Sequence, residues 1–554
     1  MPQHYTSSHA LIESLHVAGV DRAFLVPGES YLGVLDAMVD FPGLDVVTCR
    51  HEAGAGFMAL ADGRLTNRPG VALVSRGPGA SNAAIAVHTA QQDAIPFILL
   101  IGQVAEQDLR REAFQEIDYH KMFGDIAKWV FECRHPDQLG ATAAKAVRVA
   151  TSGTPGPVVI VLPEDIQQQP AKKLTTPLTR QTAGIPASET LSKIRGAITQ
   201  AKRPLILAGG VFEQLGGREA LQAFAESFDI PVVVTFRRQD LFDNHHPLYG
   251  GNMGLANPPE QMALLEQTDL LLALGTRLGD ITTQNYAFPT YARTAQTFLH
   301  AHPDSRIIGW DTAADFPLVC DPIELVRALT AQGAQATQTN TNRNVDPKWL
   351  KAWQTFREQY MAWPAFEQRS DGIEFAAVVK AISDSADEQL TFCLDAGTFA
   401  APVYRHVPFT PGRRLMSPLS GAMGYGTPAA MACALRDPTR EVVCLVGDGG
   451  MLMTGQEMIL AVERKLPVLM VLSSNGTYGS IRKHQEQHYP DRVCGTSLFN
   501  PDFVAMAQSF GMPGWRIQSE DQIQETLQAA RDHIRNKGGP ALIDVQTNLK
   551  AVKG

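Results

Sequence analysis

The chain has 554 residues, 44% hydrophobic and 19% charged, with 48 Lys+Arg against 57 Asp+Glu for a formal net charge of −9. This composition excludes a mainly disordered chain, and at about 150 residues per domain the length implies roughly three or four domains. No basic run or stripe marks a nucleic-acid partner, and apolar runs such as PFILLI and PVLMVL fall far short of the ~20 residues of a membrane helix. The N-terminus lacks a basic start followed by an apolar run, so no signal peptide is expected. The seven cysteines include no C-x-x-C pair, and several sit inside apolar runs such as EVVCLVG. That is the pattern of reduced core thiols in a cytoplasmic protein.

In chain order the sequence divides into three blocks. In residues 1–175, RAFLVPG, LDVVTCR, GVALVSRG, PFILLIG and PVVIVLP read as buried parallel strands stopped by Gly or Pro. The polar stretch QQPAKKLTTPLTRQTAG reads as a linker. Residues 188–335 repeat the pattern with RPLILAGG, IPVVVTF, TDLLLALGTR and RIIGWD, followed by a second polar stretch, TAQGAQATQTNTNRNVD. Residues 372–554 carry LTFCLDAG, EVVCLVGDG, LPVLMVLSSNG and PALIDVQ. Strands alternating with helical segments imply βαβ units, hence three doubly wound α/β domains with parallel sheets. Such domains bind ligands beyond the C-terminal ends of their strands.

The sharpest chemical signal lies in the third block. Asp448 ends a strand within Gly447-Asp448-Gly449-Gly450, and 27 positions later the next strand ends at Asn475-Gly476-Thr477. One strand–helix–strand crossover separates them, so both belong at the same edge of adjacent parallel strands. A carboxylate, an amide oxygen and a loop carbonyl there can converge on one hard cation. Mg²⁺ takes six oxygens and usually draws several from phosphates and water, so so few protein ligands ask for a diphosphate. The glycines let phosphate oxygens approach the backbone.

This stretch resembles the thiamine diphosphate motif, GDG followed about two dozen residues later by NN, with Ser474 at the first Asn. The resemblance implies Mg²⁺ ligation by the Asp448 and Asn475 side chains and the Thr477 main-chain oxygen. Arg50-His51-Glu52-Ala53-Gly54-Ala55 resembles the family's catalytic glutamate segment, where a carboxyl group shares a proton with the cofactor's pyrimidine N1′. Residues 68–104 and Ala113-Phe114-Gln115-Glu116 resemble acetolactate synthase and its relatives, with Phe114 and Gln115 at the active site. Gly77-Pro78-Gly79 is no dinucleotide loop, because Asn82 stands where G-x-G-x-x-G needs its last glycine. Met423, in Gly421-Ala422-Met423-Gly424, matches the bulky residue that bends the cofactor. The resemblance thus implies a pyrimidine-binding, a central and a diphosphate-binding domain. It also implies a site shared between two chains of a homodimer or homotetramer, because Glu52 and the metal loop come from different subunits in the family.

Other positions narrow the chemistry. Simple pyruvate decarboxylases carry an adjacent His pair and a Glu after the metal loop as proton donors; the matching places here hold Phe114-Gln115 and Ile481. That favours joining the decarboxylated fragment to a second carbonyl compound. Glu29 cuts the other way, since decarboxylases have an Asp there and acetolactate synthases a Gly. Arg277 matches a substrate-side arginine able to clamp a 2-oxo acid carboxylate. Arg76 is an additional cation, and Ser480 and His484 replace the Met and Trp of the acetolactate synthase acceptor pocket. The expected activity is an acetolactate synthase-like carboligase acting on a 2-oxo acid. The alternatives are a non-ligating decarboxylase or carbon–carbon lyase, akin to benzoylformate decarboxylase, and a non-catalytic cofactor-binding protein. Gly209-Gly210 and Gly251-Asn252-Met253-Gly254 match the FAD segments of acetolactate synthases only partly, and Leu299–Asp304 replaces the acidic strand end. The resemblance therefore leaves FAD open, and the sequence does not address a regulatory subunit.

Overall fold

The computed structural model describes residues 5–173, 184–289, 296–336, 344–366 and 372–548. They form three six-stranded sheets. The first runs in the order Asp45–Thr48, Arg22–Leu25, Gly70–Ser75, Phe97–Gln103, Pro157–Pro163 and Trp129–Glu132, with every pair parallel. The second runs Phe316–Val319, Thr297–His302, Leu270–Leu274, Pro204–Ala208, Val232–Val234 and Tyr249–Asn252, again parallel. In the third, Arg414–Met416 flanks Leu390–Leu394, and from there Glu441–Gly447, Val468–Ser474, Ala541–Gln546 and Gly514–Ile517 pair in parallel. Helices join the strands throughout, which is the doubly wound α/β class read from the sequence.

Five strands carried no readable signal: Trp129–Glu132, Tyr249–Asn252, Phe316–Val319, Arg414–Met416 and Gly514–Ile517. All five are edge strands. The segment RIIGWD is not a strand, contrary to the sequence expectation. Its backbone turns, with Ile307 N–H on Asp304 O and Trp310 76% exposed, and the strand lies upstream at Thr297–His302. Of the first polar stretch, residues 174–183 lie outside the described residues. The second begins inside the helix Pro322–Ala336, and its residues 337–343 lie outside them.

The chain forms two compact units. One comprises residues 1–180, 366–401 and 416–554, and the other residues 181–365 together with 402–415. In the second, Asn244 and Phe409 exchange two hydrogen bonds at 2.9 Å, which ties the returning segment to the central sheet's loops. Within the first unit, the N- and C-terminal sheets share one apolar core through the helices Glu52–Thr66 and Gly426–Arg436. Glu52–Thr66 is rich in Gly and Ala and is buried on nearly all sides. Its small residues permit close approach: a Cβ at Gly56 would meet the Ala86 Cβ at 2.4 Å. The Phe57 and Tyr425 rings then meet edge to face at 5.6 Å.

Charge fixes the far end of this helix pair. Arg436 donates to Asp62 (2.6 Å) and Asp21 (2.9 Å), and Arg22 lies 3.6 Å from Asp62. Burial pushes the Asp62 carboxyl up despite the pull of Arg436. Its folded pKa lies above the unfolded value, so its contribution to stability is present at low pH and is lost as pH rises. Arg436→Met removes its principal partner, so we expect a loss of about 3 kcal/mol at pH 8. The loss is smaller at pH 5, where Asp62 can protonate. Urea midpoints of wild type and variant at the two pH values measure this.

Candidate active site

Asp448 and Asn475 follow adjacent parallel strands, in register through Gly447 and Ser473. The Asp448 carboxylate is buried and holds the loop that faces it. Oδ1 accepts the Gly449 N–H at 2.9 Å. Oδ2 accepts from the Asn475 N–H (3.1 Å), the Gly476 N–H (2.7 Å) and the Asn500 amide (2.8 Å). The Asn475 Oδ1 accepts the Thr477 N–H at 3.1 Å, and the Thr477 hydroxyl donates to Thr496 O at 2.8 Å. Each carboxylate oxygen has two lone-pair directions, so Oδ1, with one N–H, keeps a direction for a cation. The Oδ1 of Asn500, whose amide nitrogen donates to Asp448 Oδ2, is buried without a hydrogen-bond partner, an acceptor suited to a cation-bound water. This donor set fits Mg²⁺. Asn500 carried no sequence signal, because it lies 52 positions beyond Asp448 in an irregular segment.

The glycines of the motif also have packing reasons. A Cβ at Gly449 would meet the Tyr478 ring at 2.4 Å, and one at Gly450 the Asp395 carboxylate at 3.0 Å. Asp395, fully buried, accepts the N–H groups of Gly424 (2.9 Å) and Gly426 (3.4 Å). From the N-terminal half, buried Asp93 accepts those of Leu419 (2.9 Å) and Ser420 (2.8 Å). The Thr454 hydroxyl donates to Gly424 O at 2.7 Å. The loop carrying half-buried Met423 is thus held from both halves of the unit.

Glu52 opens the helix Glu52–Thr66, whose N-cap His51 accepts the Ala53 N–H through Nδ1 at 3.1 Å. Half-buried Glu52 accepts from the Asn82 amide at 2.9 Å, and Gly79 leaves space beside it, its notional Cβ being 3.4 Å from Oε1. Asn82, noted in the sequence only as a break in a glycine pattern, is therefore a partner of Glu52. Glu29 is exposed in a loop whose Gly28 packs on Ser75, next to Arg76. Arg76 pairs with Glu164 at 2.8 Å, and the Gly77 N–H donates to Gln115 O at 2.9 Å. One edge of the first sheet thus gathers Glu29, Glu52, Arg76 and Gln115, with Phe114 76% exposed beside them. Ser480 accepts the Thr398 N–H at 3.2 Å, and His484 is exposed one turn further along the helix Gly479–His488.

Arg277 belongs to the other unit, just after the strand Leu270–Leu274. In that unit Gly209 packs on backbone, its notional Cβ being 2.3 Å from Gly275 O, and Asp304 is engaged by Arg306 at 2.8 Å. His302 is buried, which pushes its imidazole down to about 4. Packing accounts for these residues, and none points to a flavin.

Asp448→Ala deletes the one charged group among the expected Mg²⁺ ligands and releases the N–H groups of Gly449, Asn475 and Gly476. We expect Mg²⁺-dependent retention of thiamine diphosphate through gel filtration to be lost. Asn500→Ala removes one hydrogen bond to a charged group, about 1.5–3 kcal/mol, and should weaken retention roughly tenfold or more. Equilibrium dialysis against thiamine diphosphate and Mg²⁺ reads both.

Comparison with known proteins places the whole chain in a family. Residues 5–122 match the family model for the N-terminal TPP binding domain of thiamine pyrophosphate enzymes, residues 191–329 the central domain, and residues 395–545 the C-terminal TPP binding domain. The acetolactate synthase large subunit of Corynebacterium glutamicum is 30% identical, over 98% of this chain and 87% of its own. Acetolactate synthase isozyme 3 large subunit of Escherichia coli is 30% identical, over 96% and 93%. A probable acetolactate synthase large subunit of Methanocaldococcus jannaschii is 31% identical, over 94% and 89%. The chain belongs to the thiamine pyrophosphate enzymes and is similar along nearly its whole length to acetolactate synthase large subunits.

Proposed function

We propose that the protein is a thiamine diphosphate- and Mg²⁺-dependent carboligase that decarboxylates a 2-oxo acid and joins the remaining fragment to a second carbonyl compound. The observation that carries this is the Asp448–Asn475–Thr477 loop, folded by its own hydrogen bonds with oxygens suited to a cation, in a chain that also presents Glu52 at a helix start. Thiamine diphosphate, when bound, supplies a nucleophilic carbon able to take up a 2-oxo acid and hold the electron pair left as CO₂ departs. Glu52 would share a proton with the pyrimidine and Met423 would bend the cofactor, as the resemblance has it. Arg76 is engaged by Glu164. Phe114, Gln115 and Ile481 offer no acid where decarboxylases protonate their product, which supports ligation.

Purified protein incubated with pyruvate and other 2-oxo acids should release CO₂ and form a ligated hydroxy-ketone product. Aldehyde and CO₂ alone would replace this reading with a decarboxylase or lyase, and stoichiometric cofactor binding without turnover would leave a binding protein. Glu52→Gln keeps the side-chain shape and removes the shared proton. Cofactor binding should persist, while proton exchange at the cofactor C2, followed by NMR, slows by orders of magnitude. Equal exchange rates would remove Glu52 from this role.

We also propose a homodimer or homotetramer in which Glu52 of one chain serves the cofactor held by another. Large apolar side chains stand exposed around the site elements: Ile85 (40%), Phe114 (76%), Leu452 (50%), Met453 (44%), Ile481 (56%) and Phe499 (99%). Covered by a second chain, these side chains would be withdrawn from water, which supports the oligomer reading. Sedimentation should show a dimer or larger, and a fully active monomer would overturn the shared site. Among the described residues no helix is long and apolar enough to cross a membrane.

A further inference from the structure

Glu457 is fully buried, nine positions beyond Asp448, in the helical turn Gly455–Glu457 that continues the helix Asp448–Thr454. No motif drew attention to it. Its carboxyl group reaches the connection between the strand Asp45–Thr48 and the helix Glu52–Thr66. There it accepts the Arg50 N–H at 3.1 and 3.2 Å and the His51 N–H at 2.9 Å. The Cys49 N–H still follows the sheet ladder, on Leu25 O at 2.8 Å. Arg50 and His51 lie beyond the ladder and before the helix, so their N–H groups need an acceptor from elsewhere. Glu457 supplies it.

The sequence makes room for this contact. A Cβ at Gly54 would lie 2.5 Å from the Glu457 Oε1 and 2.8 Å from its carboxyl carbon. Gly54 sits in the first turn of the Glu52 helix, so an alanine there would displace the carboxyl group. The charged and titratable groups nearby are few. Arg50 directs its guanidinium to Thr48 O (3.4 Å) and toward Glu463 (3.9 Å), and the Cys49 thiol is buried. Arg436, on the helix packed against this turn, is bound to Asp21 and Asp62.

We propose that Glu457 is a positioning residue for Glu52, its carboxyl group fixing the two peptide N–H groups that immediately precede the catalytic carboxylate. His51 is the N-cap of the helix that Glu52 opens, so holding both N–H groups sets the backbone dihedrals from which the Glu52 side chain departs. Burial pushes the Glu457 carboxyl up to about 7, against the pull of the two N–H groups and Arg50. A glutamine, which matches the protonated acid in shape and retains the accepting oxygen, can therefore take its place. The inference rests on the role proposed for Glu52, and the test separates the two.

The first readout uses the cofactor-free protein. Amide hydrogen exchange of the segment 49–55 should quicken at least tenfold in Glu457→Ala and stay near the wild-type rate in Glu457→Gln. The second uses protein loaded with thiamine diphosphate and Mg²⁺. Proton exchange at C2 should fall about 10- to 100-fold in Glu457→Ala, as expected when a reacting group is displaced by about an ångström, with cofactor content unchanged. Glu457→Gln should recover most of the rate. Gly54→Ala should reproduce the defect from the opposite side, and in the Glu457→Ala background it should add little, because both changes break one contact. Multiplicative effects of the two changes, or wild-type C2 exchange in Glu457→Ala, would overturn the proposal. If Glu457→Ala does not fold, Gly54→Ala decides alone: wild-type rates in both readouts would overturn it. Faster amide exchange in a protein whose wild type shows no C2 exchange would instead fault the role given to Glu52.

Discussion

Buried carboxylates that accept peptide N–H groups hold this unit's loops in place. Beyond the strand ends the backbone leaves the sheet ladder, and each N–H left inside the protein must find an acceptor or cost about 1–3 kcal/mol. Asp448 takes those of Gly449, Asn475 and Gly476. Asp395 takes those of Gly424 and Gly426, Asp93 those of Leu419 and Ser420, and Glu457 those of Arg50 and His51. The four carboxylates hold three stretches of loop, which carry or immediately precede Glu52, Met423, Asn475 and Thr477. Charged acceptors suit the task because they bind N–H groups about twice as strongly as neutral ones do.

Two of these ties cross from one sheet's domain to the other. Asp93 ends a helix of the N-terminal half and holds a loop of the C-terminal half, and Glu457 does the reverse. The shared apolar core along Glu52–Thr66 and Gly426–Arg436 sets how closely the halves approach. The polar ties set the register of their loops. Apolar burial is non-directional and cannot do the second job; hydrogen bonds to a fixed carboxylate can.

How much of this was readable in the sequence follows from the kind of signal each part leaves. Central parallel strands are buried on both faces and write continuous apolar runs, so EVVCLVG and LPVLMVLSS were legible, as was the adjacency of Asp448 and Asn475. Edge strands such as Trp129–Glu132 and Gly514–Ile517 are half-exposed and leave weak runs, and RIIGWD, read as a strand, turns instead. At the site, residues within named motifs were visible. Asn82, Asp93, Asp395, Glu457 and Asn500 were not, because each acts on residues distant in sequence and none has a spacing to betray it.

The loop around Asp448, if it takes the cation proposed above, has a consequence for how a holoenzyme would assemble. Asp448 already binds the N–H groups of Asn475 and Gly476, and Asn475 already caps Thr477, so the turn is folded by the protein's own hydrogen bonds. A cation arriving with its diphosphate meets ligands whose conformational entropy was spent during folding rather than at binding. Loading at such a site would be a docking event rather than a folding event. On the proposed reading, removing the cation with a chelator would leave the loop folded, so removal and reloading would not pass through an unfolded chain.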